Sequence, residues 1–120
     1  MFLIDTKSKM AIFEQIKTQI LEYIATGVLS PDDKLPSVRQ LASQLGINPN
    51  TVAKTYQELE LQGYVYTIPG KGCFVSKENI DKIKEKKKQQ LHESINDAYK
   101  YGLSKEEVLE IIEKIYEGGR

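Results

Sequence analysis

LPSVRQLASQLGINPNTVAKTY, residues 35–56, holds a helix start, a helix stop and a second helix start in close succession. Ser37 and Gln40 have capping-box spacing: the hydroxyl accepts from a first-turn amide while the Gln40 side chain reaches back. Val38, Leu41, Ala42 and Leu45 recur at three- and four-residue intervals and form the apolar stripe of one helix. Gly46 stops that helix. Only Ile47 separates it from Asn48, a favoured N-cap residue, and Pro49, which suits the first helical position because its missing amide is not needed there. The second of these helices runs to about Gln62, with Val52, Tyr56 and Leu59 facing inward, and Gly63 ends it. A turn this short forces the two helices to cross steeply rather than fold back antiparallel.

Upstream, Met10 to Thr26 predicts an amphipathic helix with Phe13, Ile16, Ile20 and Ile24 on one face and Gly27 as its terminator. Phe2-Leu3-Ile4 reads either as an edge strand or as a packed arm, and Ser30-Pro31-Asp32-Asp33 is turn chemistry. Downstream, Tyr64 to Ile68 favours β structure, Pro69-Gly70-Lys71-Gly72 is a turn, and Cys73 to Ser76 is a second β-favouring run, so a hairpin follows the third helix. From Glu78 the character changes. Ile80 and Ile83 lead into the lysine run 84–88, and Leu91, Ile95, Ala98 and Tyr99 then share a helical stripe. After Gly102, Ser104 and Glu107 form a second capping box, and Val108, Ile111, Ile112 and Ile115 line a final helix. The expected fold is mainly α with a small β-hairpin: a winged helix-turn-helix DNA-binding domain over residues 1–76, followed by two C-terminal dimerisation helices over residues 77–120.

Composition narrows the class. The chain has 120 residues, 40% hydrophobic and 28% charged, which suits one compact domain with a small appendage. It has no apolar run long enough to span a bilayer and no secretory pattern in the first ten residues. The single cysteine, Cys73, fits a reducing cytoplasm. It reads as a small strand hydrophobe rather than an oxidant sensor, and the single histidine, His92, as a solvated helix residue. No catalytic set, metal site or cofactor loop is assignable, which argues against an enzyme. Formal net charge is zero, yet no Asp or Glu occurs from Lys34 through Gln57, between Asp32 and Asp33 on one side and Glu58 and Glu60 on the other. A locally cationic surface on a neutral chain follows. The lysine run, interrupted by Glu85, reads as a solvated face.

In a winged helix-turn-helix the third helix enters the major groove by its N-terminal end. Here that end carries Asn48, Pro49, Asn50 and Thr51, followed by Lys54. Asparagine can read adenine bidentately, threonine can bond a phosphate or touch a thymine methyl, and lysine can reach phosphate or guanine. Ser37 and Arg39 would lie against the DNA backbone, and Gly70 and Lys71 at the wing tip would approach the minor groove. Tyr56 is expected to pack in the core with its hydroxyl at the rim, a phosphate contact by that hydroxyl being the alternative.

LPSVRQLA at 35–42, NPNTV at 48–52, ELELQGY at 58–64 and GKG at 70–72 resemble, in order and spacing, the GntR superfamily of bacterial regulators over roughly residues 10–76. The resemblance implies operator contacts from Arg39, the first turn of the third helix and the wing glycine. Pro49 and Ala53 stand where relatives often carry arginine. The short tail resembles the YtrA-like branch, whose two tail helices form a dimer and which lacks a large ligand domain. The branch also implies a link to transport operons, including those of ABC transporters. Burial agrees: two short helices alone poorly bury Leu91, Ile95, Ile111, Ile112 and Ile115, and with Tyr99 and Val108 these form the expected dimer face. The alternative is that they pack back on the first helix. The expected function is a sequence-specific regulator, a homodimeric repressor on a palindromic operator of double-stranded DNA. A protein-interaction module on a winged-helix scaffold is the competing reading. A small-molecule effector bound between core and tail is left open, its identity unspecified.

Overall fold

The computed structural model describes residues 2–118. Its first helix, α1 (Ile12–Thr26), buries Ile16, Ile20 and Ile24, the stripe that its periodicity predicts. It begins at Ile12 rather than Met10 because the residues before it are engaged as an arm. Gln15, buried, accepts from the Asp5 amide at 2.7 Å and donates to the Asp5 and Met10 carbonyls, each at 2.9 Å. One turn later Gln19 accepts from the Leu3 amide at 3.0 Å and donates to the Leu3 carbonyl. Residues i and i+4 on a helix are about 6 Å apart along the axis, close to the roughly 6.6 Å between alternate residues of an extended chain. Two glutamines at that spacing therefore do for the arm what a neighbouring strand would do. Phe2 is buried, its ring 5.4 Å from that of Tyr23.

Helix α2 (Val38–Leu45) starts on the expected capping box. The Ser37 hydroxyl accepts from the Gln40 amide at 3.0 Å, and the Gln40 side chain accepts from the Ser37 amide at 3.0 Å. Its end is closed by Gly46 and Ile47, whose amides donate to the carbonyls of Ser43 and Ala42. Helix α3 (Pro49–Leu61) starts at Asn48, whose side-chain oxygen accepts from the Asn50 amide at 2.8 Å. At the other end the Gly63 amide donates to Glu60 and the Tyr64 amide to Leu59, a Schellman closure with Gly63 at φ +83. Glycine is needed there twice over: a Cβ at Gly63 would also lie 2.0 Å from the Asn79 side-chain nitrogen. That nitrogen donates to the Gln62 and Gly63 carbonyls and finishes the cap. The core beneath these helices gathers Ile16, Ile20, Leu35, Leu41, Val52, Leu59 and Val75, all fully enclosed. Thr55, the polar residue among them, donates to the Thr51 carbonyl at 2.9 Å.

Strands β1 (Val65–Ile68) and β2 (Gly72–Val75) pair antiparallel, Val65 opposite Val75 and Ile68 opposite Gly72. The turn chemistry at residues 30–33 is present, but the segment behind it does more than turn. Lys34 bridges Phe74 in antiparallel fashion, the Leu35 amide donates to the Cys73 carbonyl, and the Val75 amide donates to the Asp33 carbonyl. The Val75 carbonyl in turn accepts from the Asp32 amide, and the hairpin thus has a short third partner in the approach to α2.

Helix α4 (Ile80–Lys100) and α5 (Lys105–Tyr116) complete the five helices found among the described residues. The second capping box forms as expected, with Ser104 and Glu107 exchanging side-chain and backbone bonds at 2.9 and 3.1 Å. Two compact units divide after Lys84, inside α4. The first turns of α4 belong with the first unit because Ile83 is buried in its core and Ile80 packs against that core. No helix among the described residues is long and apolar enough to cross a membrane.

Candidate nucleic-acid interface

Capping decides what each polar group at the helix starts has left to offer. Ser37 uses its oxygen to cap α2, which leaves its hydroxyl hydrogen free to donate. Asn48 likewise uses its carbonyl oxygen on the Asn50 amide and keeps its two amide hydrogens. Pro49 occupies the first turn of α3 and fixes its backbone. Asn50 is exposed and its side chain makes no hydrogen bond among the described residues, so its donor and acceptor are both available. Thr51 is half-buried, its amide bonded to the Asn48 carbonyl. Lys54, exposed one turn further on, stands 5.0 Å over the Phe13 ring, a cation–π contact between α3 and the start of α1 that limits its wandering. Arg39, in the first turn of α2, is exposed and has no ion-pair partner among the described residues.

The wing tip is a tight turn in which the Lys71 amide donates to the Ile68 carbonyl at 2.9 Å. Pro69 followed by Gly70 at φ +78 is the signature of a type II turn. Gly70 and Lys71 are both exposed, and Lys71 too has no ion-pair partner among the described residues.

The acids that border the cationic window are engaged. Asp32 accepts from the Tyr66 hydroxyl at 2.8 Å and lies 3.6 Å from the Lys77 ammonium; Asp33 accepts from the Ser30 amide at 2.8 Å. Glu58 pairs with Lys17 at 3.4 Å, and Glu60 accepts from the Thr67 amide and hydroxyl, both at 3.2 Å. Each of these carboxylates is engaged by a partner outside residues 34–57, while Arg39 and Lys71 have no ion-pair partner among the described residues. The hydrogen bond to Asp32 raises the Tyr66 phenol above its ordinary range.

Tyr56 packs in the core as expected, and its hydroxyl is already engaged. It donates to the Pro36 carbonyl at 2.7 Å, which joins the middle of α3 to the approach of α2 and leaves no proton for a phosphate. Burial, with a smaller contribution from Cys73, pushes its ionisation above the ordinary range. Burial also pushes the Cys73 thiol up, which disfavours the reactive thiolate. What pattern reading did not find is the set that fixes the wing: Asp32, Glu60, Tyr66 and Lys34. Asp32 has positive φ, and only its place in a Pro-Asp-Asp turn hints at that.

The expected dimer residues remain open to solvent. Leu91 is 58% exposed, Ile111 51% and Ile115 54%; Ile95, Tyr99 and Ile112 are also exposed, and Val108 is half-buried.

Residues 12–75 match the family of bacterial regulatory proteins named for gntR. The chain is 41% identical over 119 residues to the HTH-type transcriptional repressor YtrA of Bacillus subtilis (strain 168), covering 96% of this chain and 92% of that protein. Its structure is similar to that of a GntR family transcriptional regulator from Listeria monocytogenes, with a TM-score of 0.78, 33% identity, and coverage of 92% of this chain and 98% of that one. It is also similar to AraR(DBD) in complex with operator ORE1, with a TM-score of 0.54, 29% identity, and coverage of 63% and 93%.

Proposed function

The chain belongs to the gntR family of bacterial regulatory proteins and is a DNA-binding transcriptional regulator, and from that premise we propose that it is a cytoplasmic repressor that binds a palindromic operator as a homodimer. The observation that carries the DNA face is the window from Lys34 to Gln57, whose bordering acids are all paired while Arg39 and the first turn of α3 stay free. In this reading α3 enters the major groove. Asn50 reads base edges and Asn48 adds a donor. Ser37, Thr51, Lys54 and Arg39 hold phosphates, and Gly70 and Lys71 lie at the minor groove. Pro49 sets the angle at which Asn50 is presented. The apolar stripes of α4 and α5 pair with those of a second copy, and two-fold symmetry in the protein then selects two-fold symmetry in the operator. The domain division proposed for binding is 1–76 for DNA and 77–120 for pairing.

The test is selection of bound duplexes from a random-sequence pool, followed by footprinting. Enriched sites should be inverted repeats with half-sites one or more helical turns apart, and a promoter carrying such a site should fall silent when the chain is expressed. Enriched sites without two-fold symmetry would contradict the homodimeric reading, and a reporter that rises would contradict repression.

A further inference from the structure

Lys34 occupies a position that no motif in the chain marks. Its backbone is fixed by the bridge to Phe74, and the neighbouring bonds Val75 amide to Asp33 carbonyl and Leu35 amide to Cys73 carbonyl, both 2.8 Å, hold it on either side. Three residues later Ser37 caps α2. Across the bridge, the side chain lies against the bare backbone of Gly72: a Cβ there would be 2.8 Å from the Lys34 Cε and 3.7 Å from its Nζ. Gly72 closes the hairpin turn that carries Gly70 and Lys71. The side chain therefore runs from the approach to α2 toward the turn end of the wing, with the ammonium close to Gly72. It is exposed and has no ion-pair partner among the described residues, although two carboxylates adjoin it in sequence. Asp32 is turned to Tyr66 and Lys77, and Asp33 to the Ser30 amide.

We propose that Lys34 is a DNA phosphate contact beside the wing, between the contact proposed for Arg39 at the start of α2 and that proposed for Lys71 at the wing tip, and that Gly72, which its φ of +132 already favours as glycine, also leaves room for the lysine stem to lie across it. This rests on the DNA-facing assignment of α2 and the wing made above. A lysine with its stem laid along a neighbouring strand loses less rotamer freedom on binding than a free surface lysine. As a point charge on a backbone-anchored residue it meets phosphate rather than a base edge, so its contribution is independent of sequence.

The experiment measures Kd against salt concentration for the full chain on two duplexes, one selected from the random pool and one of random sequence. The variants are Lys34→Met, Lys34→Arg and Arg39→Ala. One phosphate contact removed lowers the slope of log K against log salt by about 0.9 in magnitude. Lys34→Met should show that drop on both duplexes, with roughly tenfold weaker binding at low salt, and Lys34→Arg should restore both. The proposal is overturned if Lys34→Met keeps the parent slope while Arg39→Ala loses part of it. It is also overturned if Lys34→Met weakens binding but Lys34→Arg fails to restore the slope, because the residue would then act through wing geometry rather than charge. If neither Lys34→Met nor Arg39→Ala changes the slope, the DNA-facing assignment of α2 itself fails, and the Lys34 proposal with it.

Discussion

The side chains of Arg39 and Asn50 are both exposed and make no hydrogen bond among the described residues, yet the proposed docking gives them different tasks. In the proposed docking a guanidinium in the first turn of α2 meets phosphate, which every duplex offers equally. An amide in the first turn of α3 meets a base edge, which only the right duplex offers. Arg39→Ala should therefore weaken selected and random duplexes alike. Asn50→Ala should cost about 1–3 kcal/mol on the selected site and little on the random one, so that the ratio of the two affinities collapses. Competition binding with both duplexes separates the cases; equal loss on both in Asn50→Ala would remove it from base reading. Asn48 is a mixed case, because its oxygen already caps α3 on the Asn50 amide. Replacing it disturbs the helix start and the interface together, which makes it a poor single probe of recognition.

At the level of elements, what the chain advertised was what is local. Capping boxes at Ser37 and Ser104, the Asn48-Pro49 start and the terminal glycines are set by neighbours within a turn, and each forms as the spacing predicts. The same holds for Asn48 to Lys54 and the wing turn as places in the fold. What stayed hidden depends on partners far along the chain. The arm is held by Gln15 and Gln19, which read simply as polar helix positions. The third partner of the hairpin is a single bridge at Lys34, too short to leave any alternation. The Tyr56 hydroxyl finds a carbonyl 20 residues away. That last bond ties α3 to the approach of α2, and its removal has a defined result. Tyr56→Phe keeps the ring but leaves the Pro36 carbonyl without its donor, a loss of about 1–3 kcal/mol. Urea unfolding should show a lower midpoint at unchanged slope; an unchanged midpoint would mean that water replaces the hydroxyl without loss.

For the whole molecule, the division after Lys84 separates two kinds of burial. The first unit encloses its own core, with side chains from Phe2 to Ile83 buried together. The second leaves its apolar stripe in water. Leu91, Ile95, Ile111, Ile112 and Ile115 recur at helical spacing on α4 and α5, and none of them is buried. Exposed apolar stripes of this kind mark interaction surfaces, and the proposed occupant is a second copy. Pairing also bears on affinity. Two linked recognition helices raise the effective concentration of the second once the first has bound, so affinity for a palindrome is gained by the dimer and absent from the monomer. Ile112→Glu places a charge in the middle of the stripe. Sedimentation should show the variant at the mass of one chain where the parent shows two. Binding to the inverted repeat should fall by about a hundredfold or more, while binding to a single half-site stays at the parent value. Thermal unfolding of the first unit should be unchanged, because no residue of its core is altered. A variant that remains dimeric would move the pairing surface elsewhere. A monomeric variant that kept full affinity for the inverted repeat would break the link between pairing and operator symmetry on which the repressor reading depends.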